Sequence, residues 1–174
     1  MKKLYVEFTR PQGFSFISSM IMLFECTSYS HVRFQWEEES EGALIYEASG
    51  SSIKFLGKMA QEQHPVHVVS SFSLQLNKQQ WEHFKTLRLQ YAGLRYGVFQ
   101  IIGIIISRLL FLKKNPFASG HISQICSEVV ARILSEVLQL SLSIDFDMAG
   151  PKKIHNVLEK YAQDKHLNML KKIM

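Results

Sequence analysis

The chain of 174 residues is 47% apolar and carries a formal net charge of +5, which suits one compact domain with a substantial core. Its two cysteines, Cys26 and Cys126, are too few for the disulfide framework of a small secreted domain, so reduced thiols and a cytoplasmic setting are expected. The amino-terminal MKKLYVEF breaks its apolar run at Glu7 after three residues, and it reads as carrying no signal-peptide core.

LYVEFTR reads as a short strand. Pro11 and Gly13 then mark a turn, SFISSMIMLFECT has the apolar spacing of a short helix, and a loop follows over residues 28–30. In HVRFQWE the residues alternate, with Val32, Phe34 and Trp36 on one face and His31, Arg33 and Gln35 on the other, as in a half-buried strand. ALIYEAS is the next strand candidate. The acidic EEESEG between them reads as a solvated hairpin connection rather than a metal site. SIKFLGKMA and HVVSSFSLQL extend the run of strands, in apolar surroundings that also place Cys26 and Cys126 among hydrophobic neighbours.

From Asn77 the period becomes helical. NKQQWEHFKTLRLQYAG opens on an asparagine N-cap and closes near Gly93. YGVFQIIGIIISRLLFL follows. Its apolar part, Val98 to Leu112, is 15 residues long and contains Gln100, Ser107 and Arg108, short of the roughly 20 residues needed to cross a bilayer. A buried or interfacial helix is expected. HISQICSEVVARIL then predicts a helix beginning near Ser123, and Pro151 opens a final one, PKKIHNVLEKYAQ. Strands followed by helices predict a single α+β domain over 1–174, an antiparallel sheet packed against helices.

The basic residues are scattered, apart from short pairs such as Lys113-Lys114 and Lys171-Lys172, and no nucleic-acid-binding motif is present. Binding to nucleic acid is not expected.

Chemistry is suggested by Cys126. In the first turn of a helix, free amides and the macrodipole favour thiolate over thiol. The plainer alternative is a small apolar core residue, the commonest fate of a free cysteine. A nucleophilic thiolate needs an imidazole, and the imidazole needs a group to orient it. His31 opens a strand on the face opposite Val32, Phe34 and Trp36, and Glu47 sits at the end of the next strand, so a hairpin can set the two side by side. Cys26, five residues before His31, is the rival nucleophile, but the carboxyl end of a helix disfavours a thiolate. Glu128 reads as a structural or capping carboxylate.

YSHVRF, YEAS, a helical stretch starting YG, CSEVV and the helix opened by Pro151 occur in this order. Together they resemble the circularly permuted branch of the NlpC-type, papain-like cysteine hydrolases, which includes YiiX-like proteins and relatives of lecithin retinol acyltransferase. The resemblance covers most of the chain. It implies a papain-like fold with Cys126 as nucleophile, His31 as base and Glu47 as the residue that orients the base. It also implies an amide or ester substrate, either a peptidoglycan-type peptide or a lipid acyl group, with no metal or organic cofactor required. Gly97 stands where relatives often carry an acidic residue, and FLKKNPFASGH has no counterpart. The apolar Val98–Leu112 stretch favours a hydrophobic acyl substrate or contact with a membrane surface. Two other readings are a non-catalytic binding module that keeps the fold and a basic surface-binding protein.

Overall fold

The computed structural model describes residues 1–38, 42–50, 52–57, 62–63, 65–117, 123–139, 145–163 and 170–173. Alternating sequences build its centre. β1 (Lys2–Pro11), β2 (His31–Glu38), β3 (Gly42–Ser49), β4 (Ser52–Leu56) and β5 (Val66–Leu76) are joined by three short strands, β6 (Arg95–Tyr96), β7 (Ser123–Gln124) and β8 (Leu170–Ile173). Among the described residues these eight form one sheet in the order β7-β6-β4-β3-β2-β1-β5-β8. Every neighbouring pair is antiparallel except β6 with β7, which is parallel.

One face of the sheet is apolar. Leu4, Val6 and Phe8 of β1 join Val32, Phe34 and Trp36 of β2 and Phe72, Leu74 and Leu76 of β5, all fully buried. The helix α4 (Cys126–Leu138) covers this face with Val129, Val130, Ile133, Leu134 and Val137, a stripe at the helical period. Each such side chain contributes roughly 1.5–3 kcal/mol when fully buried. On either side lie α2 (Lys78–Tyr91), anchored by Trp81, Phe84 and Leu87, and α5 (Pro151–Gln163), anchored by Ile154 and Leu158. The Asn77 cap is as expected, a reciprocal capping box with Gln80.

The two remaining helices stand outside this core. α1 (Phe16–Glu25) and α3 (Val98–Leu109) meet through Ile21 and Ile105, beside a smaller cluster of Ile101, Ile104 and Ile125. Glu25, the one buried residue of α1, ties three elements together. It accepts from Arg108 Nη2 of α3 at 2.8 Å and from the Lys152 amide of α5 at 2.8 Å.

Several expectations are corrected. The cysteine helix begins at Cys126 rather than near Ser123, because Ser123 and Gln124 are drawn into the sheet beside β6. The apolar helix is shorter than its apolar run. It stops at Leu109, where the Leu112 amide donates back to the Ser107 carbonyl and Phe111 turns left-handed. Cys26 is exposed rather than set among apolar residues, capping α1 in a left-handed conformation. The strand expected over SIKFLGKMA ends at Leu56. Its continuation over residues 58–60 lies outside the described residues, as do positions 39–41 of the hairpin connection and 118–121 of the segment before the cysteine helix.

Candidate active site

Cys126 is the first residue of α4, preceded by Ile125, which provides no side-chain cap. Its sulfur therefore lies among amides that no helical carbonyl satisfies. The Ser127 amide donates to it, and so does the Val32 amide at the start of β2. Pairing between β2 and β3 runs from Glu38 only to Phe34, so Val32 lies beyond the end of that ladder. The helix start and the strand end thus converge on one sulfur atom.

His31 and Glu47 reach the same point from the second, polar face of the sheet. Gln35 is paired with Ile45. Two residues further along that register, Arg33 is level with Glu47, and His31 is Glu47's diagonal neighbour on one face. The ring Nε2 of His31 is 3.3 Å from Glu47 Oε2, and the ring also hydrogen-bonds with the Cys126 sulfur. The three residues singled out in the sequence therefore come together.

Behind them is a second line of charge. Arg33 Nη1 is 3.9 Å from Glu47 Oε2, while its Nε and Nη2 each lie 2.9 Å from Glu7 Oε2 on β1. Glu7 and Arg33 are both buried, as ionic groups can be when paired. This line holds Glu47 in place beneath the imidazole.

The electrostatics follow from this packing. Burial by itself would lower the pKa of His31, but the facing Cys126 thiolate and the Glu47 carboxylate outweigh it and raise the value to about 10. Burial would likewise raise the Cys126 pKa, yet His31 and the Val32 and Ser127 amides bring it below the ordinary thiol value. Both shifts run in the direction that favours a thiolate beside an imidazolium. Tyr96 is the fourth member. Its hydroxyl hydrogen-bonds to the same sulfur, and burial, with the negative charge of Cys126 and Glu47, holds it well above its ordinary pKa, so it stays a donor.

Sequence reasoning did not find Tyr96, Glu7 or the two amides. Arg33 had a visible signal, since it shares the His31 face of the alternation. Tyr96 entered only as the start of the YG stretch in the resemblance, with no role, because a two-residue strand leaves no period. Gly97 has a local reason: a Cβ there would collide with the buried carboxamide of Gln100, so the acidic residue of relatives would not fit this packing.

Glu128, at the third position of α4, accepts from Arg132 Nε and Nη2 at 3.2 and 2.9 Å. It faces away from the imidazole chemistry and is a structural carboxylate. Ser127 Oγ, fully buried, donates to the Ala149 carbonyl and fixes the helix start against the segment leading into α5.

Two cavities meet here. A cleft of about 490 Å³ is lined by His31, Glu47 and Tyr96, with Ile17 and Ile21 of α1 on one side and Lys54 and Leu56 of β4 on the other. Cys126 lines a smaller cavity of about 30 Å³ beneath α1 and α3. Ile21 and Ser30 line both and form the partition between them.

A comparison with known protein families finds no match, and neither does a comparison with curated proteins. Among solved structures, the metalloprotein YiiX of Escherichia coli O157:H7 superposes with a TM-score of 0.57 at 17% identity, over 99% of this chain and 95% of that one. The likeness is one of α+β fold. Among the described residues here, no group of three or more His, Cys, Asp or Glu side chains is arranged to hold a metal ion. No helix among them is long and apolar enough to cross a membrane.

Proposed function

We propose that the protein is a thiol hydrolase or acyltransferase acting on an ester or amide, with Cys126 as nucleophile, His31 as acid and base, and Glu47 as the orienting carboxylate. One observation carries this reading: a single imidazole bridges the Glu47 carboxylate and a sulfur at the first position of a helix. The order His, Glu, Cys along the chain agrees with the permuted NlpC-type resemblance.

The thiolate attacks the acyl carbon, and the new C–S bond pushes the carbonyl electrons onto oxygen. In this reading the Cys126 amide and the Tyr96 hydroxyl donate to that oxyanion. His31 gives its proton to the leaving alcohol or amine as the C–O or C–N bond breaks. Water or an acceptor hydroxyl or amine then attacks the thioester while the neutral imidazole takes its proton. Collapse restores thiolate and imidazolium.

The cleft favours an acyl chain joined to a small polar group. Pro11, Ile17, Ile21, Leu56, Val66 and Val98 give it apolar walls. Among the described residues, the hydroxyls of Thr9 and Ser30, which line it, are buried without a hydrogen-bond partner, two groups a polar linkage can satisfy. A lipid acyl substrate fits this better than a peptidoglycan-type peptide.

The test is turnover of nitrophenyl esters of short and long acyl chains and of an N-acyl amide, with Cys26→Ser as the background. Hydrolysis should favour the longer chains and disappear in Cys126→Ala. Equal activity in Cys126→Ala would overturn Cys126 as the nucleophile, and no turnover of any substrate would leave the non-catalytic binding module as the better reading.

A further inference from the structure

The helix α3 is apolar on both sides. It buries Ile101 and Ile104, together with Gln100, Gly103 and Ser107, and turns Phe99, Ile102 and Leu109 outward. Positions 99, 102, 106 and 109 follow the helical period, so they form one outward stripe, with Ile106 half-buried. Phe99 is 74% exposed. A helix serving only the core would carry polar residues along that outward stripe.

The stripe does not end with the helix. Leu110 and Phe111 continue it, and Phe111 is 93% exposed at φ +55. A non-glycine residue in the left-handed region is strained, and here that strain presents an aromatic ring to solvent. Alongside, α1 has no charged residue before Glu25 and exposes Phe16 and Leu23, with Phe14 89% exposed just ahead of it. The Glu25–Arg108 ion pair ties the carboxyl-terminal ends of the two helices together, and each helix presents exposed apolar side chains. Grouped exposed apolar side chains mark interaction surfaces.

The charge of the surface selects the partner. Residues 8–24 and 83–127 contain no Asp or Glu, whereas Lys113 and Lys114 lie directly after the stripe; Arg108 is already paired with Glu25. Of the carboxylates packed against these helices, Glu25 is held by Arg108, and Asp147 lies 3.9 Å from Arg132. Apolar side chains flanked by cations, on helices too short to span, are the features of an interfacial membrane anchor.

We infer that α1, α3 and the Leu110–Lys114 turn dock the protein on an anionic lipid bilayer. The same two helices contribute Ile17, Ile21 and Val98 to the cleft, so docking turns the mouth of the cleft toward the lipid. That an acyl substrate enters from the bilayer rests on the thiol reading above; the docking itself does not.

The experiment is co-sedimentation with vesicles of phosphatidylcholine alone and of phosphatidylcholine with phosphatidylglycerol, at low and high salt. Wild type should bind the anionic vesicles, weakly bind the neutral ones, and lose affinity as salt rises. Phe99→Ser with Phe111→Ser, and separately Lys113→Glu with Lys114→Glu, should each weaken binding by about tenfold or more. Iodoacetamide labelling of Cys126 should be unchanged in both, which also reports folding, and Cys126→Ser should bind vesicles like wild type. The proposal is overturned if wild type does not bind anionic vesicles or if both double variants bind as wild type does. It is also overturned if the substitutions abolish self-association of the protein while leaving vesicle binding intact, since the surface would then pair two copies.

Discussion

Replacing Glu47 by Gln isolates the charge behind the imidazole. The side chain keeps its shape and can still hydrogen-bond the ring, 3.3 Å away in the wild type. Arg33 remains held by Glu7 at 2.9 Å, so no guanidinium is stranded and the fold should persist. What disappears is a charge-assisted hydrogen bond, worth about 1.5–3 kcal/mol against about 0.5–1.5 kcal/mol for a neutral one. The difference, on the order of 1.4 kcal/mol, equals about one pKa unit. The imidazolium loses support, so the His31 pKa should fall from about 10 by roughly that unit. The ring is still protonated where the thiol titrates, so the acidic limb should keep its position, and the change should fall on the alkaline side, where the thiolate loses its imidazolium partner. The assay is the pH dependence of Cys126 alkylation in a Cys26→Ser background, since Cys26 is exposed. That alkaline change should come about one pH unit lower in Glu47→Gln. A profile that stays put in Glu47→Gln but moves in Glu128→Gln would refute the assignment of Glu47.

Tyr96→Phe removes one donor to the sulfur and to the proposed oxyanion; the thiol pKa should rise, and kcat on an ester should fall by about 10²-fold with little change in KM. Ile21→Ala thins the partition between the sulfur and the cleft and should speed labelling of Cys126 by a bulky maleimide more than by iodoacetamide. Burial holds the Glu128 pKa at about 7, above its ordinary 4.5, against the opposing pull of Arg132. The neutral acid is therefore the form the fold favours, so its contribution is complete below about pH 4.5 and is lost as pH rises through about 7. Relative to Glu128→Gln, wild type should lose on the order of 3 kcal/mol across that window, measured by urea unfolding at several pH values.

The core strands and the chemistry-bearing residues were legible because each left a local pattern. Alternation in HVRFQWE separates Val32, Phe34 and Trp36 from His31 and Arg33, and the structure keeps that separation. Asn77 and Pro151 mark helix starts through caps that act within a few residues. What escaped was set by contacts distant in sequence. The strands β6 and β7 exist because Arg95 and Tyr96 pair with Ser123 and Gln124, and that pairing moved the start of the cysteine helix and brought Tyr96 to the sulfur. The apolar run of α3 reads as a buried or interfacial helix, and the packing settles which residues lie where: Ile101 and Ile104 turn inward with Gln100 and Ser107, while Phe99, Ile102 and Leu109 face out.

The central claim is that Cys126, activated by His31, is the nucleophile. Intact-protein mass spectrometry after brief exposure to an activated long-chain acyl ester, followed by peptide mapping, tests it directly. One acyl adduct is expected, on Cys126, that is absent from Cys126→Ser and strongly slowed in His31→Ala, with Cys26 unmodified. An adduct on Cys26, or one on Cys126 that forms equally fast without His31, would contradict it.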